Sequence, residues 1–536
     1  MKKDLYIITG ITVFSTLFLN ACRSTDTDHS ITNGIASVNI NLLGTEFSGS
    51  SPSANASLSK NTNLNTTSEA QTHSILVNPG TVVTAKLASN SVSTPAIASS
   101  GIKSTAVVSG NTLGSGTKFR VIAYRQSNGN YHTHQDYTVG QAATPMMLDN
   151  GAAYNFVVYS YGTTGLPSIS SGEQTNISSA SVNYDDTNRD LMYQKISYTP
   201  VDNGNILNIT LRHKVAQITT IINSAAMGDI TGITGGVLTN HYTNGVFSLS
   251  TGVMSGRTVT SSGAVLSFPA SGFPGVNQTS DPVFINNDTG GTATAGISAS
   301  ITIGGNDKLI NLPSSFKITP GNKSTLTINL NKCGAYLGAG NTLWKGFMCH
   351  NLGADTNADP FIPAAAIHGA KYKWGSQTNQ TARYYSQSKD QSSAGSAFSP
   401  AEWSTEPIPE SSWSDTSKTS KDPCPSGYRV PTIVQWQAVV ANNNIERIGS
   451  WADSANNYTT AVYFRDASNV RTLMLPIAGY RYSSNAILFV RGSEAYYWSS
   501  SRKPTSFAGK LGIFSTSVNF DTSSPQHGFS VRCIAE

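Results

Sequence analysis

The sequence predicts a mainly β protein, two tandem β-sandwiches followed by an α+β C-terminal domain, and three observations carry that prediction. Between about residues 36 and 332, apolar residues recur with period two and no helical period competes. All seven tryptophans (Trp344, Trp374, Trp403, Trp413, Trp436, Trp451 and Trp498) and four of the five cysteines lie at or beyond residue 333, so the chain changes character there. A capped helical pattern occurs only after residue 430.

The chain of 536 residues opens with Lys2 and Lys3 and an apolar stretch over residues 5–19. That fits a secretory leader and is too short to span a bilayer. Leu19-Asn20-Ala21-Cys22 follows. The motif resembles the signal-peptidase-II site of bacterial lipoproteins, which implies that Cys22 is acylated and becomes the mature N-terminus. The rival reading is a plain leader with an incidental cysteine. Residues 1–21 are then the signal peptide and residues 22–35 an acylated linker. Its acyl chains hold the protein to the outer membrane, since several chains anchor stably where one binds only marginally. The stretch "RSTDTD" after Cys22 is similar to the acidic segment that accompanies surface export in Bacteroidetes-like lipoproteins. The expected location is therefore the outer membrane, exposed at the cell surface.

Charged residues make up 12% of the chain, against about a quarter in typical soluble domains. Ser, Thr, Asn and Gly fill the deficit, as suits extracellular β-proteins. The formal net charge of +5 is small for this length and includes no Lys/Arg run, which sets nucleic acid aside as a partner. Besides Cys22 there are Cys333, Cys349, Cys424 and Cys533, an even number suited to disulfides in an oxidising compartment. Metal binding is the rival, but these spacings contain no CxxC and no paired histidines.

The first sandwich, residues 36–200, is read from three runs. "SVNINLLG" alternates through Val38, Ile40 and Leu42, "KFRVIAY" through Phe119, Val121 and Ala123, and "YNFVVYSY" is apolar on both faces. The Ser/Thr/Asn/Ala-rich stretches 49–72 and 89–101 lack the apolar content to pack and are expected as long, mobile loops. Pro200 and Asn203-Gly204 then signal a turn, and the second sandwich covers residues 201–332. In "ILNITLRHKVAQITTII" the apolar face runs Leu207, Ile209, Leu211 and Val215 and resumes at Ile218 with opposite parity, which predicts a β-bulge around Ala216-Gln217. His213 falls on the inward face and is expected as a hydrogen-bonded core residue.

The stretches "FVVYSY", "DLMYQK" and "LRHKVAQI", in that order after a lipobox, resemble the fimbrillin-like proteins of Bacteroidetes over about residues 36–330. The resemblance implies two transthyretin-like β-sandwiches and a place among pilus stalk subunits, anchors and tip adhesins, with pilus subunits as partners. Stalk subunits of that family are matured by arginine-specific cleavage in the first sandwich. Here no arginine occurs between Arg23 and Arg120, and Arg120 sits inside a predicted strand, a poor protease site. That disfavours a stalk subunit and leaves a tip, an anchor or a free-standing adhesin.

The third domain, residues 333–536, begins with the cysteines. In "DPCPSGYRVPTIVQWQAVVANN", Pro431 and Thr432 mark a helix start, with Val434, Ala438 and Val439 on one face. Strand-like runs follow: "AVYFRD", "TLMLPIAGYRY", "YYWSSS", "TSVNFD" and "GFSVRCIAE". In the last, Phe529, Val531 and Cys533 alternate, so Cys533 is expected inward. "CGAYLGAGNTLWKGFMCHNLGAD", "YKWGSQ", "DPCPSGYRVPT", "LPIAGYR", "YYWSSS" and "GFSVRCI" resemble, in order, the Fibrobacter succinogenes major paralogous domain. That family is thought to be similar to C-type lectin-like folds. The analogy implies that Cys424 pairs with Cys533, which leaves Cys333 for Cys349.

Calcium-dependent C-type lectins use Glu-Pro-Asn or Gln-Pro-Asp with Trp-Asn-Asp, and none of these triplets occurs here. A calcium-dependent sugar site is disfavoured. Between Tyr480 and Tyr497, however, Arg481, Tyr482, Arg491 and Glu494 are polar groups that could orient a ligand on an aromatic platform. Tyr497 and Trp498 are expected in the core. HExxH, GxSxG, P-loop and GxGxxG signatures are absent, so no enzyme activity, catalytic residue, cofactor or metal is expected. Two weak metal candidates are outweighed by solvated polar faces: His132, His134 and Asp136 in "YHTHQDY", and Asp185, Asp186 and Asp190 in "YDDTNRD". The expected function is that of an adhesin or pilus-tip-like protein whose C-terminal module contacts a glycan or a protein of the extracellular matrix. The alternative is a structural anchor or accessory pilus subunit with no ligand of its own.

Overall fold

In the computed structural model, residues 34–48, 70–90, 111–187, 189–393, 402–503 and 507–536 are described. The leader, Cys22, nearly all of the linker and most of both Ser/Thr-rich stretches lie outside them. Among the described residues no helix is long and apolar enough to cross a membrane.

Strand Lys118–Arg125 shows why the first unit is layered. It is buried on both faces, whereas its sequence predicts one face only. Phe119, Val121 and Ala123 point into one core, and Ile122 and Tyr124 into another. The strand is second in a seven-stranded sheet ordered Tyr131–Thr138, Lys118–Arg125, Tyr154–Ser160, Met192–Tyr198, Asn205–His213, Ile35–Glu46 and Met146–Asp149. Only two residue pairs join Met192–Tyr198 to Asn205–His213. The two halves of the sheet therefore pack on each other, with Val121, Phe156 and Val158 against Val38, Leu207 and Ile209. The opposite face is covered by a three-stranded sheet of Met254–Ser255, Asn244–Ser248 and Ser181–Asp185, which contributes Val182, Tyr184 and Phe247.

The boundary expected between residues 200 and 201 is corrected by this topology. Asn205–His213 belongs to the first unit, parallel to Ile35–Glu46. The hairpin of Gln71–Asn78 and Thr81–Ser89 belongs to the second, where Thr81–Ser89 pairs with Lys323–Lys332. The predicted bulge is corrected as well. Asn205–His213 and Ala216–Asn223 lie in different sheets, so parity changes at Lys214-Val215 because the chain crosses between two cores. His213 is buried as expected: its Nδ1 lies 2.6 Å from Asp190 Oδ1 and its ring stacks on Phe47. The second unit is a sandwich of two sheets. One is built on Ala216–Asn223, Lys323–Lys332 and the 71–89 hairpin, the other on Ile230–Thr239, Ala295–Ile303 and Asn306–Phe316. Ile218, Leu326, Ile297 and Leu312 fill the space between them.

Lys323–Lys332 leads through Cys333 into the third unit. The turn Pro79-Gly80 of the early hairpin is held there by two backbone bonds, Cys333 N–H to Gly80 O at 2.8 Å and Cys349 N–H to Pro79 O at 2.7 Å. A Cβ at residue 80 would lie 2.8 Å from Tyr428 Oη and 3.2 Å from Phe347 O, so a larger residue there would have to displace its neighbours. Both disulfides implied by the second resemblance are formed, Cys333–Cys349 and Cys424–Cys533.

Helix Ile433–Asn442 starts at Thr432, whose side chain accepts from Gln435 N–H while the Gln435 side chain accepts from Thr432 N–H. Its buried residues are Trp436 and Val439, and Val434, expected on the same face as Val439, is instead 66% exposed. Tyr497 and Trp498 are fully buried, as expected. The predicted alternation near the C-terminus does not hold: Phe529 through Cys533 are all buried. The polar members of that run are satisfied internally. Arg532 donates to Asn351 Oδ1 and to the Met348 and Cys349 carbonyls.

Candidate ligand-binding surface

Strands Tyr480–Arg481 and Leu488–Phe489 form a short hairpin in register Tyr480 to Phe489 and Arg481 to Leu488. Successive side chains of a strand point to opposite sides. Arg481 consequently enters the interior while Tyr480 and Tyr482 face outward. At the far end of the hairpin Val490, a β-branched residue, adopts a left-handed φ of 55°, an unfavourable conformation of the kind that clusters at binding sites.

Inside, Arg481 Nε donates to Asp390 Oδ1 at 2.7 Å and Arg491 Nη2 to Asp390 Oδ2 at 2.5 Å, while Lys371 Nζ lies 3.9 Å from the same carboxylate. All four side chains have no exposed surface. Burial alone would push the Asp390 carboxyl up, but attraction by Lys371, Arg481 and Arg491 outweighs it and leaves the group below the usual range. Burial lowers Lys371 to about 8, and burial followed by repulsion from Lys371 and Arg491 holds His368 well below its ordinary value. Arg491 Nη1 reaches Ala455 O at 2.7 Å and Tyr458 Oη at 2.9 Å. The expectation that Arg481 and Arg491 contact a ligand is corrected, because a guanidinium without exposed surface cannot meet one.

Outside, Tyr482 and Phe489 are each 41% exposed. Their rings lie 5.8 Å apart and edge-to-face. Tyr480 stacks on Phe489 at 5.7 Å, and His527 closes the group, 5.4 Å from both Tyr480 and Tyr482. The result is a closed circuit of four rings, two of them well exposed. Behind it, Tyr496 meets Tyr480 edge-on at 5.3 Å and stacks on Phe529. Half-buried Glu494 accepts a hydrogen bond from the Tyr496 hydroxyl. Burial, then repulsion from Lys510 and Lys373, brings His527 down to about 4, so the ring is neutral at physiological pH and its Nδ1 shares a hydrogen bond with Ser523 Oγ.

Of the four expected ligand residues, Tyr482 and Glu494 lie at this surface and the two arginines beneath it. Phe489, Lys510 and His527 were missed. Phe489 reads as part of an apolar run, and the other two come from distant segments.

The other candidate clusters are engaged internally. Asp136 holds Arg120 with both oxygens, at 2.6 and 2.8 Å, His134 pairs with Tyr131, and His132 lies 3.3 Å from Arg125. Asp186 meets His241 and Arg189, Asp190 meets His213, and Asp185 accepts from Thr187. Among the described residues no group of three or more His, Cys, Asp or Glu is arranged to hold a metal ion.

Comparison with known proteins adds the following. Residues 105–345 match a family model described as fimbrillin-like. No curated protein matches the chain. Among solved structures, a candidate cell adhesion protein from Bacteroides uniformis is 16% identical, with 40% of this chain and 86% of that one covered and a TM-score of 0.29. A candidate adhesin from Bacteroides thetaiotaomicron is 13% identical over 37% and 72% of the two chains, with a TM-score of 0.25. A fimbrial assembly protein from Parabacteroides distasonis is 11% identical over 40% and 88%, with a TM-score of 0.27. Likenesses this distant say nothing about what this chain binds.

Proposed function

We propose that the chain is a surface lipoprotein of adhesin type, held to the outer membrane through acylated Cys22, whose two fimbrillin-like sandwiches present a lectin-like C-terminal unit to a glycan or protein ligand. It binds rather than catalyses. The observation that carries this reading is the platform of Tyr480, Tyr482, Phe489 and His527 with Glu494 beside it. Large aromatic residues left exposed next to polar groups mark binding surfaces, because exposing them gains nothing for folding. The rigid seat of Pro79-Gly80 against Cys333 and Cys349 supports a unit held out at a fixed angle. The fimbrillin-like match favours a further role for the sandwiches, as a surface for pilus subunits.

The test uses the mature, oxidised chain on glycan and matrix-protein arrays, with and without a calcium chelator. Saturable binding that survives the chelator and is lost in Tyr482→Ala supports the proposal. Silence from the folded protein moves the assignment to an accessory pilus subunit. Anchoring is tested separately: Cys22→Ser should release the protein from membranes, and unchanged fractionation would refute the lipid attachment.

A further inference from the structure

Lys510 stands at the rear edge of the platform. It lies on strand Phe507–Ile513, and its ammonium sits 4.2 Å above the Tyr496 ring and 6.0 Å from that of Phe529. The side chain is half-buried. Asp521, directly opposite in the sheet register, and Glu494 both attract it, but among the described residues Lys510 forms no ion pair with either, and Glu494 is already engaged by the Tyr496 hydroxyl.

The fully buried cations of this unit, by contrast, have partners. Arg481 and Arg491 share Asp390, Arg532 has three acceptors, and Lys373 reaches Ser404 O and Gln526 Oε1. A partly desolvated ammonium that stands over a ring face and forms no ion pair among the described residues keeps donors available to a ligand. Tyr496 and Tyr480, at ring spacings of 5.3 and 5.7 Å, connect it to the exposed Phe489. Nearby His527 is neutral and adds a hydrogen bond rather than a second charge.

We propose that the ligand of this surface is an acidic oligosaccharide, one pyranose ring of which stacks on Tyr482 and Phe489 while a carboxylate or sulfate along the chain is paired by Lys510. The inference rests on the reading that this surface binds a ligand, and it names the ligand's chemistry. A stacking face recognises any sugar ring, whereas an unpaired ammonium at its edge discriminates by charge.

The experiment measures binding of the mature chain to three probes: a hyaluronan oligosaccharide, the same oligosaccharide with its carboxyls reduced to alcohols, and a heparan-type sulfated oligosaccharide. Wild type, Lys510→Gln, Lys510→Arg and Tyr482→Ala are compared, with folding of each checked by circular dichroism. The expected result is an acidic probe bound at least about tenfold tighter than the reduced one, a preference erased in Lys510→Gln and retained in Lys510→Arg. Preference for the carboxylated or the sulfated probe identifies the anionic group. Equal affinity for acidic and reduced probes, unchanged in Lys510→Gln while Tyr482→Ala still abolishes binding, overturns this inference and leaves the proposed function standing. A folded wild type that ignores all three probes and every glycan on the array overturns this inference, and the proposed function then depends on a protein ligand.

Discussion

Arg481 and Tyr482 are consecutive, yet one is sealed in the interior against Asp390 and the other is 41% exposed on an aromatic platform. Period-two geometry makes this division: the inward residue of the strand anchors the hairpin to the scaffold, and its outward neighbour is free for recognition. At the other end of the loop buried Arg491 follows exposed Phe489 by two residues, and there the left-handed turn at Val490, not strand alternation, puts them on opposite sides. The lesson is that two polar side chains in one loop can play opposite parts, and burial decides which.

The comparison breaks most sharply at Asp390. Asp390→Ala would leave Arg481, Arg491 and Lys371 without their counter-ion, and removing one member of a buried charge cluster costs about 3–5 kcal/mol. Chemical denaturation should show that loss, and a change within 1 kcal/mol would mean that the cluster is not the anchor of the hairpin. Next in size is the Cys424–Cys533 bridge, which spans a sequence separation of 109. Replacing both cysteines by serine should destabilise the third unit by roughly 2–5 kcal/mol. Near-native stability would shift the credit to packing around Trp498 and Phe529.

Acid should act on the same unit more gently. His527 at about 4 and His368 well below its ordinary value both lie under the unfolded value of 6.5. As pH falls through 6.5, the unfolded chain takes up protons that the folded one refuses. Stability present above 6.5 is therefore lost on acidification, at up to about 1.4 kcal/mol per pH unit for each such histidine. Flat thermal stability between pH 7 and 5 would contradict this. The smallest expected effect belongs to the outward residue: Tyr482→Ala should change stability by no more than about 0.5 kcal/mol while removing ligand binding. A large loss of stability would make Tyr482 part of the scaffold and erase the contrast with Arg481.

Much of the architecture was legible in the chain. The strands at Val38, Phe119, Leu207 and Ile218, the capped helix after Thr432 and the core placement of Trp498 follow from local periodicity and capping. The candidate site was legible only in part. Tyr482 and Glu494 could be named from the loop, but Arg481 looks identical on paper whether it faces water or a carboxylate. That carboxylate is 91 residues away. Likewise, the parity change at Lys214-Val215 reads locally as a bulge, and only the pairing of 71–89 with 323–332 reveals two sheets.

By itself the sequence determined the period of each strand, the start of the helix, the even set of downstream cysteines and the concentration of aromatic residues in the last two-fifths of the chain. These depend on neighbours within a few positions. Only the tertiary structure decided which face each strand covers, that residues 205–213 close the first unit, that Asp390 neutralises both arginines, and that Lys510 and His527 join the platform. Those outcomes depend on burial and on side chains brought together from separate segments, Asp390 and Arg481 lying 91 residues apart, and no local pattern encodes such pairings.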